Sequence, residues 1–83
     1  MYEASLSNDS AIFDYRAGFA TIREALEWSL GRGPEYVIHI SDGSYPDYHL
    51  CVHNNKLYYE RGYCDWVEVS VDSFCNKKGE NTL

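Results

Sequence analysis

Small and apolar residues recur along residues 22–30 at helical spacing. Ile22, Ala25, Leu26, Ser29 and Leu30 follow the i, i+3, i+4, i+7, i+8 rule and make one stripe. Thr21 before the stripe and Glu24 within its first turn form a capping box. The threonine would accept from the third helical amide, and the glutamate would reach back to the Thr21 amide. Gly31 suits the left-handed residue that closes a helix, and Pro34 prevents its resumption. A helix this short is marginal alone, so its stripe must lie against a sheet.

Elsewhere the period is two. Tyr2, Ala4 and Leu6 share a strand face. After a turn at Asn8-Asp9-Ser10, Ala11, Phe13, Tyr15 and Ala17 share another, with Ile12, Asp14 and Arg16 opposite them, until Gly18 breaks the pattern. Residues 35–41 are rich in β-branched side chains and read as a strand, with Tyr36, Ile38 and Ile40 on one side and Val37 and His39 on the other.

Residues 48–61 make the clearest hairpin. Asn54-Asn55 tolerates the positive φ of a two-residue turn, which sets His53 opposite Lys56, Val52 opposite Leu57, Cys51 opposite Tyr58, Leu50 opposite Tyr59 and His49 opposite Glu60. Leu50, Val52, Leu57 and Tyr59 then share an apolar face, and a slip of one residue would mix the faces. Residues 66–71 alternate again, with Val67, Val69 and Val71 inward and Trp66, Glu68 and Ser70 outward; one short turn then docks Phe74.

These elements predict an α+β domain: an antiparallel meander of four or five strands with one helix packed on one face. Residues 1–74 form the single domain, and the polar stretch 75–83 is expected to be a disordered tail. The uncovered sheet face would carry His39, His49, Cys51, His53, Tyr58, Glu60, Trp66 and Glu68.

Charge sharpens this picture. The chain has 13 acids against 7 bases, and taking away residues 75–83 removes two lysines and one glutamate, leaving 12 against 5. Such a surface repels a phosphate backbone and attracts basic partners, so direct nucleic-acid binding is not expected. No run approaches membrane-spanning length and the first residues lack a basic, apolar leader, so a cytoplasmic protein with no membrane association is expected. The cysteines are odd in number (Cys51, Cys64 and Cys75) and lack C-x-x-C spacing, which favours reduced thiols.

His49-x-Cys51-x-His53 has the one spacing with metal logic. Alternate strand residues point the same way, and His39 on a neighbouring strand could complete a zinc site; the alternative is a solvated polar face. Nothing else suggests chemistry. No nucleophile motif surrounds Cys51, and Gly31-Arg32-Gly33-Pro34 follows a helix, whereas a phosphate cradle precedes one. The chain reads as a non-enzyme that needs no cofactor.

Aromatics make up 16% of the chain, and eight of them are tyrosines, which suit contact surfaces or half-buried sheet positions. Trp28 lies about 130° from the centre of the helical stripe at 100° per residue, so it either folds over a sheet edge or anchors a partner. Trp66, Tyr58 and Tyr45 are candidate anchors, with Glu60, Glu68 and Asp65 as steering charges. The wider set of acids could also imitate a row of phosphates.

The helix ending at Gly31 and leading through Pro34-Glu35-Tyr36-Val37-Ile38 into a strand resembles the layout of some small phage anti-CRISPR proteins over roughly 20 residues. The resemblance implies a non-enzymatic inhibitor, encoded by a phage or mobile element, that blocks a host defence or nucleic-acid-handling complex by binding its basic surface. Two other readings stay open: a metal- or small-ligand-binding domain using the histidines and Cys51, and a module whose open sheet face pairs with its own copy as a homodimer.

Overall fold

The structure, a computed structural model, describes residues 1–9, 11–43 and 47–77. Among the described residues six antiparallel strands form one sheet: β1 (Tyr2–Ser7), β2 (Ile12–Phe19), β3 (Glu35–Ser41), β4 (Tyr48–His53), β5 (Lys56–Gly62) and β6 (Asp65–Glu68). Two helices, α1 (Ile22–Ser29) and α2 (Val71–Lys77), accompany the sheet among the described residues. The spatial order is β2-β1-β3-β4-β5-β6. The α+β class is as expected, but the sheet has one strand more than the upper expectation, and there are two helices. It is also not a simple meander, because α1 carries the chain from edge strand β2 over to the far side of β1.

Each difference has a physical reason. Six strands spaced about 4.8 Å apart make a sheet about 24 Å wide, and a helix about 10 Å across cannot cover it. α1 lies over β1, β2 and β3, and α2 packs beside it. From α2, Phe74 meets the rings of Tyr48 on β4 and Tyr59 on β5 at centroid distances of 6.0 and 5.1 Å. The strand expected over residues 66–71 therefore stops at Glu68. The Val69 amide makes one last bond to the Leu57 carbonyl at 3.0 Å, and Val71 is helical. Ser70 and Ser73 cap α2 reciprocally, each side-chain oxygen accepting from the other's amide at 3.1 and 2.9 Å. Cys75, placed with the tail by sequence, is fully buried on α2; residues 78–83 lie outside the described residues.

The α1 stripe is buried as expected at Ile22, Ala25, Leu26 and Ser29. Thr21 Oγ1 accepts from the Glu24 amide at 3.1 Å, but the Glu24 carboxylate accepts from Ala20, one residue earlier than the expected Thr21 amide, at 2.9 Å. Gly31 follows the helix with φ 71°, the backbone conformation that favours glycine at a helix end. Ser29 spends its hydroxyl on the Ala25 carbonyl (2.7 Å), and the Tyr36 hydroxyl donates to the Ser29 carbonyl (2.7 Å), tying α1 to β3. Fully buried Ala4, Leu6, Ile38, Ile40 and Leu50 line the sheet beneath.

The hairpins follow their turn chemistry. Asn54 and Asn55 take φ of 53° and 64°, and four of the five expected β4–β5 pairs are in register; the fifth, His49 with Glu60, meets only through its side chains at 3.3 Å. The β1–β2 hairpin is present, but β2 runs through Gly18 to Phe19 and its register shifts opposite the Leu6/Ser7 step, beside Phe13. That irregularity brings Phe13 edge-on to the ring of core residue Tyr36, 6.0 Å away.

Trp28 packs on Phe19 at 5.7 Å between ring centroids and lies under the Arg32 guanidinium at 4.5 Å. Arg32 donates twice to the Trp28 carbonyl, from Nε (3.2 Å) and Nη2 (2.9 Å), and its Nη1 reaches Asp14 Oδ2 on β2 at 2.7 Å. One cation thus satisfies the open end of α1 and binds it to the edge strand. Replacing Arg32 with methionine keeps the apolar stem over Trp28 and removes both polar links. The expected loss is about 1–2 kcal/mol in a denaturant titration; an unchanged midpoint would show that this bracket contributes nothing.

Candidate functional site

The helices cover one face of the sheet, and among the described residues no other element packs on the opposite face. Cross-strand register sorts that opposite face into rows. One row runs Tyr15, Ser5, His39, His49 from β2 to β4 and continues as Glu60 and Trp66 on β5 and β6. Beside it runs Ser7, Val37, Cys51, Tyr58, Glu68. A third, shorter row holds Glu35, His53 and Lys56. All eight side chains expected on the open face are in these rows.

Cys51, His53, Tyr58 and Trp66 line a shallow hollow of about 330 Å³. Trp66 is 41% exposed, an unusual state for so large an apolar side chain, and Val37 in the neighbouring row is 42% exposed. A second hollow, of about 480 Å³, adjoins the first at Cys51 and His53 and reaches Asn8, Glu35 and Val37. Burial, then the negative charge of Glu60, push the Cys51 thiol up from its ordinary value. A thiol so placed is a poor nucleophile at neutral pH.

Each histidine of the face meets a carboxylate. His39 Nε2 lies 2.9 Å from Asp47 Oδ2, His49 Nδ1 lies 3.3 Å from Glu60 Oε1, and His53 Nδ1 lies 3.3 Å from Glu35 Oε2. His39 and His49 are direct cross-strand partners with ring centroids 4.8 Å apart. Asp47, just before β4, joins them, so that one ligand atom from each of the three lies within 4.8 Å of the others. Bonds from the Ser41 hydroxyl and then from His39 hold the Asp47 carboxyl below the usual carboxylate range.

The structure therefore gathers potential metal ligands differently from the spacing along β4. Successive same-face residues on one strand stand roughly 7 Å apart, whereas direct cross-strand neighbours stand about 5 Å apart. Among the described residues the one ligand cluster is His39, Asp47 and His49; Cys51 and His53 are not part of it. The loop acid Asp47 is the member that alternation within a strand does not reveal.

The candidate anchors divide. Tyr58 and Trp66 stand together on the open face beside Glu60 and Glu68. Trp28 is on the opposite, helical side, packed against the core. Asp65 accepts from Arg61 Nε (2.9 Å) and Nη2 (2.8 Å), which offsets its charge and makes it a poor steering group. Tyr45 lies outside the described residues. Among the described residues no helix is long and apolar enough to cross a membrane. Comparison with protein-family models, curated proteins and solved structures finds no match.

Proposed function

We propose that this chain is a small, non-catalytic binding protein that docks its open sheet face on a basic, nucleic-acid-handling surface of a protein partner and works by occlusion. The observation that carries the reading is the hollow between Tyr58 and Trp66, flanked in the same rows by Glu60 and Glu68. Its chemistry suits an arginine. A planar guanidinium stacks on exposed aromatic rings and pairs with a carboxylate beside them. Across the rows the carboxylates Glu35, Glu60 and Glu68 face a single ammonium, Lys56. The net charge of −6 favours encounter with a basic surface. The resemblance of residues around α1 and β3 to small phage anti-CRISPR proteins supports a target in a defence or nucleic-acid complex.

Affinity capture from lysate, with the wild type and Trp66→Ala compared at low and high salt, tests this reading. The wild type is expected to retain a basic nucleic-acid-binding protein at low salt and release it at high salt, since charge steering is screened over about 10 Å at 0.1 M. Trp66→Ala is expected to weaken binding of that protein by at least about 2 kcal/mol, roughly thirtyfold. Equal recovery by both forms, or recovery of acidic partners only, would overturn the proposal.

A further inference from the structure

The cross-strand cluster on β3 and β4 has a use that docking does not require. We propose that His39, Asp47 and His49 form a binding site for a divalent transition-metal ion of the zinc class. Two imidazoles and one carboxylate are a donor set that zinc takes readily, and three protein ligands leave a coordination position for water.

The layout around the cluster matches what such a site needs. His39 and His49 face each other across a strand pair, the closest approach that a sheet offers two side chains. Glu60 engages His49 Nδ1 at 3.3 Å, which leaves Nε2 as the ligating nitrogen and holds the ring from behind. The Ser41 hydroxyl hydrogen-bonds to the Asp47 carboxylate and orients it. A tetrahedral zinc with bonds near 2.0–2.1 Å wants its donors about 3.3 Å apart. His39 Nε2 and Asp47 Oδ2, at 2.9 Å, already stand that close. The widest separation in the cluster, 4.8 Å, closes by rotation of side chains that are 36–52% exposed. In the native pairing a shared cation would replace the single bond between His39 and Asp47 and add His49 to it.

The test uses the full chain stripped of metal with a chelator and titrated with zinc chloride at neutral pH. Calorimetry should give one ion per chain, and the melting temperature should rise by on the order of 10 °C at zinc about a hundredfold above Kd. His39→Gln, Asp47→Asn and His49→Gln should each weaken binding at least tenfold. Cys51→Ser and His53→Gln should leave it within about twofold. The substituted cluster residues are half-exposed, and far-UV circular dichroism checks each fold. Cobalt(II) gives a second readout, a visible absorption band in the wild type that His39→Gln lacks. The proposal is overturned by a melting temperature indifferent to zinc, by undiminished binding in His39→Gln and Asp47→Asn, or by equal losses in Cys51→Ser or His53→Gln. It does not rest on the docking proposal, because zinc affinity and Trp66-dependent capture are separate readouts.

Discussion

Replacing Phe74 with alanine is expected to bring the protein close to loss of folding. Phe74 is fully buried, and its ring meets Tyr48 and Tyr59 edge-on at interplanar angles of 86° and 62°. Truncating a core phenylalanine costs about 3–5 kcal/mol, and loss of two ring pairs belongs at the upper end of that range. A domain of this length has a total stability of about 4–12 kcal/mol. Each kcal/mol shifts the melting temperature of so small a domain by about 4–8 °C, so thermal denaturation should show a fall of at least about 12 °C. The same change at exposed Asn76, also on α2, should be nearly silent. A Phe74→Ala melting point within about 2 °C of the wild type would mean that α2 is not part of the cooperative unit. β4 and β5 would then be covered in some other way.

Phe74 also marks where sequence reasoning stops. α1 was legible because Thr21, Glu24, the stripe and Gly31 all agree, and the β4–β5 register was legible because Asn54-Asn55 and a clean division of faces agree. At residues 66–74 two signals compete. The alternation of Val67, Val69 and Val71 reads as a strand, while the reciprocal Ser70/Ser73 cap reads as a helix start. Cover for β4 and β5 decides for the helix. Trp28 was ambiguous for a related reason: its angle on α1 is local, but Phe19, on which it packs, and Asp14, which holds the Arg32 above it, come from β2. The open face was legible from period two alone. The metal cluster was legible only in part, because two of its members lie on different strands and the third lies in the segment before β4. Only the β3–β4 register brings His39 and His49 together, and nothing local to residues 42–47 announces that Asp47 will join them.

A pair of substitutions one residue apart tests the two-sided sheet on which both functional proposals stand. Ile38→Asp is expected to leave the chain unfolded at neutral pH. Ile38 is fully buried between Leu6 and Leu50, its partners on the neighbouring strands, and both of those are fully buried as well. The change deletes a core side chain at about 2–5 kcal/mol and asks the interior to take a carboxylate with no partner, at several kcal/mol more. Together these are as large as the stability available to a domain of this length. Val37→Asp makes a similar change on the next residue, but Val37 is 42% exposed between Ser7 and Cys51, and its new carboxylate stays in water. The loss there is expected to be about 1 kcal/mol or less, mainly strand preference. Circular dichroism and thermal melts of the two variants side by side give the answer. If both unfold, the Val37 side of the sheet is interior. His39, His49, Tyr58 and Trp66, which share that side, could then neither meet a partner nor take up an ion from solution. If only Ile38→Asp unfolds, the polar, ring-bearing side is solvent-facing, and it is open to a ligand.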